Sequence, residues 1–133
     1  MMSEQISWAT NVTVKNGPTF AVGGIVNAEA YEKLQVPVAS AGEEVLNILP
    51  AGINAQFLLI KADKYAGADP ETEKLVYDTG GGEKDLTGPL VLTNAAAMNL
   101  LGADFTTITF KNSMGSEVTV EVLVARDAGP PPP

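Results

Sequence analysis

Phe105–Ala128, FTTITFKNSMGSEVTVEVLVARDA, constrains the fold more than any other stretch of the chain. Ile108 and Phe110 alternate with Thr107, Thr109 and Lys111. After a polar break, Val118, Val120, Val122 and Val124 alternate with Thr119, Glu121, Leu123 and Ala125. A period of two in β-branched residues describes pleated strands with one buried face, whereas a helix would scatter these valines around its circumference. Asn112–Ser116 between the runs holds residues that tolerate turn dihedrals, so the stretch reads as an antiparallel hairpin.

The same punctuation recurs upstream. Residues 1–5 read as a loose lead-in. From Ile6 to Lys15, Trp8, Val12 and Val14 share one phase of a strand that Asn16-Gly17-Pro18 closes. Thr19–Asn27 is a second strand, interrupted at Gly23-Gly24, where a bulge or a close backbone approach is expected. A phosphate-cradling loop would need a following GK[ST], and none follows. Ala28–Leu34 is open between a helical turn and a strand. Leu34, Val36 and Val38 alternate around Gln35 and Pro37, the pattern of an edge strand. Val45–Leu49, Gln56–Ala62 and Lys74–Asp78 supply further strands. Leu90–Leu92 leads into Ala95–Leu101, a short helix that Thr93 or Asn94 can cap and Gly102 can stop. The expected fold is all-β: an antiparallel β-sandwich or jelly roll of seven or eight strands, with a capping helix near residues 93–101 at one open end. Residues 1–128 form a single domain, and Gly129-Pro130-Pro131-Pro132-Pro133 a polyproline tail.

Composition limits the chemistry. In 133 residues there is no cysteine and no histidine, which removes thiolate nucleophiles, imidazole-based triads and the usual zinc ligands. Sixteen acidic residues against eight basic ones give a net charge of −8, and the cations are scattered, so nucleic acid is not an expected partner. The amino terminus has neither a basic start nor an apolar run, the longest apolar stretch, Phe57–Ile60, is too short to cross a bilayer, and no membrane partner is expected. Asp63, Asp69, Glu71 and Glu73 cluster in one polar loop. Oxygen ligands there are able to hold calcium, but the spacing fails the EF-hand pattern and lysines flank it, which suits a solvated loop. Asn11-Val12-Thr13 matches a glycosylation sequon by chance. No cofactor and no catalytic residue are expected.

The carboxy-terminal half resembles the small jelly-roll cement or decoration proteins on the capsids of tailed bacteriophages. The resemblance lies in FLLIKADKY and KLVYDTGG within Phe57–Gly81, in DLTGPLVLTNAAAMNLLGAD (Asp85–Asp104), and in TTITFKNS and VTVEVLVARDA within Thr106–Ala128. It implies a non-enzymatic structural protein, made in the host cytoplasm and carried in the virion. Such a protein binds and stabilises the capsid lattice as a homotrimer, with the major capsid protein or another virion protein as partner. A tail or baseplate component, or a non-catalytic carbohydrate- or ligand-binding sandwich with an aromatic platform near Tyr65 or Tyr31, is the alternative.

The surface expected to meet a neighbouring subunit is the doubly apolar run Phe57, Leu58, Leu59 and Ile60, although such a run also suits a central strand. The amino-terminal arm through Trp8 and the tail at Pro130 and Pro131 are the other candidate contacts, with core packing the competing role for Trp8.

Overall fold

A computed structural model describes residues 4–50, 53–65, 74–101 and 105–127. Ten strands run through them: β1 (Glu4–Thr13), β2 (Thr19–Ala28), β3 (Ala30–Val38), β4 (Gly42–Asn47), β5 (Ala55–Ala62), β6 (Leu75–Asp78), β7 (Glu83–Asp85), β8 (Leu90–Leu92), β9 (Thr107–Asn112) and β10 (Val118–Arg126). β3 to β10 build two four-stranded sheets, ordered β3-β10-β5-β8 and β4-β9-β6-β7, with every pair antiparallel. Successive strands pass between the two sheets except at β6-β7, which is the jelly-roll topology. The expected all-β jelly roll is therefore present. β1 and β2 form a separate two-stranded ribbon.

The sheets are held face to face by the residues that the alternation singled out. Val118, Val120, Val122 and Val124 of β10, Leu58 and Ile60 of β5, Ile108 and Phe110 of β9 and Leu75 of β6 are fully buried in one cluster. β10 lies between β3 and β5, and β9 between β4 and β6, so the two most regular strands are central in their sheets. Pro37 lies on β3, which among the described residues pairs only with β10, and edge placement spares a missing N–H.

The expected hairpin over Phe105–Ala128 is corrected. β9 and β10 belong to different sheets, and Asn112–Ser116 carries the chain across the sandwich instead of folding one strand back on the other. Buried Asn112 holds this corner. Its Nδ2 donates to the Val38 carbonyl at 3.0 Å and the Ser116 carbonyl at 2.8 Å, and its Oδ1 accepts from Met114 N at 2.8 Å.

Three smaller expectations also change. Residues 28–34 form no helical turn, since β3 begins at Ala30. The capping helix is a 3₁₀ turn over Ala96–Leu101, with Asn94 Oδ1 accepting from Ala97 N at 2.8 Å as its cap. Met98 and Leu101 enter the core, and the Thr79 hydroxyl donates to the Leu101 carbonyl, tying the turn to the end of β6. β7, which carries no apolar residue, had no sequence signal. Its pairing with β6 and the Glu83–Lys111 ion pair at 3.1 Å hold it, and that carboxylate raises the pKa of the Lys111 ammonium. Burial of the Tyr77 phenol raises its pKa.

Candidate functional site

The ribbon is the part of the molecule that the jelly roll does not explain. Its turn needs a left-handed residue, and Asn16, at φ 60°, supplies it. The register pairs Ile6 with Val26, Trp8 with Gly24, Thr10 with Val22 and Val12 with Phe20, and directly paired residues share a face. One face is therefore apolar along nearly its whole length. The other carries Gln5, Ser7, Ala9, Asn11, Thr13, Thr19, Ala21, Gly23, Ile25 and Asn27, small or polar except for Ile25. The glycines fit the close approach expected of them, without the bulge. A Cβ on Gly24 would lie 3.2 Å from the Trp8 indole nitrogen, and one on Gly23 would lie 2.8 Å from the Trp8 carbonyl.

Only the base of the apolar face is covered. Ile6, Trp8 and Val26 pack against the buried Ala28, Phe57 and Ala125 on the outer surface of the β3-β10-β5-β8 sheet, in a cluster that Leu59 and Leu123 border. From Ala9 to Ile25 every residue is exposed. Val12, Phe20 and Val22 keep 50%, 59% and 57% of their surface in water. Soluble domains leave such side chains singly at the surface, so three in one stripe mark a contact area.

The outer surface of the same sheet has its own partly uncovered apolar row. Leu123 is paired with Leu59, which is paired in turn with Val91, and alternation places all three on the side opposite the core. Leu59 and Leu123 are half-buried and Val91 is exposed. A groove of about 230 Å³ runs between Leu59 and Leu123, rimmed by Lys33, Lys61 and Glu121. Lys61 and Glu121 meet at 3.0 Å, which leaves Lys33 as the rim's unbalanced charge. Beyond this ion pair lies an open polar depression of about 370 Å³, bounded by Gln35, Asp63 and Thr119.

The four apolar residues of β5 divide between two roles. Leu58 and Ile60 are fully buried in the protein's own core, and Phe57 is buried beneath the ribbon; only Leu59 stays partly open. As a contact surface, the run is thus reduced to one side chain, because the central position of β5 buries one face and the ribbon covers much of the other. Trp8 belongs to β1, which starts at Glu4, so the arm is a strand and not a loose lead-in from that point. Trp8 is half-buried in the small outer cluster, while Val12 and Val14, which share its phase, are exposed instead of core. Pro130 and Pro131 lie outside the described residues, as do Asp69, Glu71 and Glu73. Asp63 is described, and its Oδ1 accepts from Thr119 N at 3.0 Å. Tyr65 is no open platform: its hydroxyl accepts from Ala62 N at 3.2 Å and its ring packs against the core. Tyr31 is exposed beside Ala125 on the outer surface.

No family model matches the chain, and no curated protein matches it. Solved structures to which the chain is similar include the following two. A de novo designed double-stranded β-helix, 15% identical, covers 71% of this chain and 97% of its own, with a TM-score of 0.43. A cupin domain of an XRE-family transcriptional regulator from Enterobacter cloacae, 9% identical, covers 90% of this chain and 95% of its own, with a TM-score of 0.44.

The ribbon's signal was present in the sequence. Asn16-Gly17-Pro18 separates two alternating runs of matching phase, and Gln5–Ala28 contains Lys15 as its single charged residue. Depletion of charge over an exposed surface distinguishes an interface core from ordinary surface.

The ribbon's attachment leads to a measurable expectation. Two-stranded ribbons are marginal alone, and this one rests on a small satellite cluster. Trp8, the sole tryptophan, reports that cluster. In urea its emission is expected to shift to the red at a lower midpoint than the far-UV circular dichroism of the sandwich. Coincident transitions at every protein concentration would make ribbon and sandwich one cooperative unit.

Proposed function

We propose that this protein is a non-enzymatic structural component of a tailed-phage particle, a cement or decoration protein that binds and stabilises the capsid lattice as a homotrimer. The observation that carries the reading is the uncovered apolar face of the distal ribbon, together with the partly uncovered apolar row on the sandwich. Both are surfaces suited to being covered by protein, and the motifs of Phe57–Ala128 add the resemblance to capsid decoration proteins. A protein that binds an assembled lattice and not its separate subunits stabilises assembly by mass action. Its excess of acidic residues opposes non-productive binding to packaged nucleic acid.

The test is addition of the purified chain to mature capsid shells that lack it. Saturable co-sedimentation and a higher shell disruption temperature are expected, whereas absence of binding at tens of micromolar overturns the reading. Exposed Tyr31 favours one alternative, a sugar-binding sandwich. A glycan array on which wild-type protein binds and Tyr31→Ala does not would establish that alternative in its place.

A further inference from the structure

We infer that the distal half of the ribbon, through Val12, Phe20 and Val22, docks on the Leu59–Leu123–Val91 row of a second copy of this chain. The inference deepens the reading given above and rests only on its claim of self-association, not on the capsid.

The occupant follows from what the ribbon already does within one molecule. The same ribbon face, at its base, lies on the same sheet surface, with Ile6, Trp8, Val26 and Ala28 against Phe57 and Ala125. Two residues further along β10 and β5, that surface presents Leu123 and Leu59, extended by Val91 of β8. The chemistry the ribbon recognises in its own sandwich is thus repeated in a row it leaves partly open. Both halves of an apolar contact are open in one chain, the ribbon's distal half fully and the row in part. A contact between two different patches is either exchanged reciprocally by two copies or repeated head to tail, and where the rotation of the second closes it makes a ring, the arrangement of a trimer.

Charge favours the same occupant. The chain as a whole carries −8, and Gln5–Ala28 carries +1, so the remainder carries −9. Two sandwiches repel each other, but a nearly neutral ribbon bearing only Lys15 approaches a second sandwich without that penalty. On arrival it meets a groove whose Lys61 and Glu121 are already paired, with room between Leu59 and Leu123 for a side chain of the size of Phe20 or Val22.

The absence of cysteine makes the test clean. Tagged Val22→Cys and untagged Val91→Cys proteins are mixed and oxidised, and light scattering after size exclusion gives the mass of the wild type and of Phe20→Ser. Wild type is expected to be oligomeric at micromolar concentration. The mixed-size disulfide is expected at least fivefold above either same-size product. Phe20→Ser should reduce both the mass and the disulfide yield while leaving the far-UV circular dichroism spectrum unchanged, since Phe20 belongs to neither buried cluster. A monomeric wild type overturns the inference, as does an oligomer that Phe20→Ser leaves intact. Monomers that bind capsid shells through Phe20 would overturn it too, while sparing the capsid reading. Oligomers that ignore every shell would support the inference and remove the capsid reading.

Discussion

Phe110→Ala is expected to destabilise the protein by about 3–5 kcal/mol, the usual cost of deleting a fully buried aromatic side chain. Phe110 sits on β9, between β4 and β6, beside buried Tyr77 on the adjacent strand. It is among the largest side chains with no exposure, in the cluster that includes the four inward valines of β10. Nothing nearby is free to fill the space, because both sheets are fixed by ladders on either side of their central strands. The loss is a third or more of the stability of a typical domain, and corresponds to a fall in melting temperature of roughly 10 °C or more. Val45→Ala, on neighbouring β4 but exposed, is expected to stay within about 0.5 kcal/mol of wild type. Urea unfolding followed by far-UV circular dichroism separates the two. A Phe110→Ala cost below about 1 kcal/mol would be incompatible with two sheets closed on one another over this residue.

The alternation that identifies Phe110 as core also explains where sequence reasoning stopped. Period two tells which side of a strand is apolar, and β9 and β10 were legible in that sense down to single residues. It does not tell whether two such strands lie side by side in one sheet or face each other across a core, because each arrangement buries the same side chains. Asn112–Ser116 therefore read as a hairpin turn and is a corner. The ribbon was misjudged for the same reason in reverse. Trp8, Val12 and Val14 alternate as core residues do, yet alternation is silent on whether anything covers the face. β7 was invisible because Glu83, Lys84 and Asp85 contribute only backbone to the ladder. The central position of β5 was legible from Phe57–Ile60, whose two apolar faces were expected either inside a sheet or against a neighbour. The first holds, and the protein's own ribbon covers part of the other face.

That corner is the subject of the second large effect. Asn112→Leu keeps the bulk and removes three hydrogen bonds, leaving the Val38 and Ser116 carbonyls and Met114 N without their partner. The Val38 carbonyl is buried while Met114 is half-buried and Ser116 exposed, so one fully buried group is left unpaired and the expected loss is about 1–3 kcal/mol, even though leucine is the more apolar residue. Asn112→Asp discriminates the hydrogen-bonding account from a packing one, because its shape is unchanged. An aspartate still accepts from Met114 N, but it turns a charged oxygen toward two carbonyls that had received N–H donors. Burial and those carbonyls both disfavour the ionised form, so the folded-state pKa of the introduced carboxyl rises above its unfolded value. For such a group the protonated form is the stabilising one. Its contribution is complete below the unfolded pKa and is lost as pH rises through the folded one. The deficit of Asn112→Asp relative to wild type is therefore expected to be larger at pH 7 than at pH 4, where a protonated carboxyl regains one donor. Urea midpoints of both proteins at the two pH values decide the matter. An equal deficit at each pH would mean that the corner is held by shape, and that its amide donors contribute nothing to the crossing from one sheet to the other.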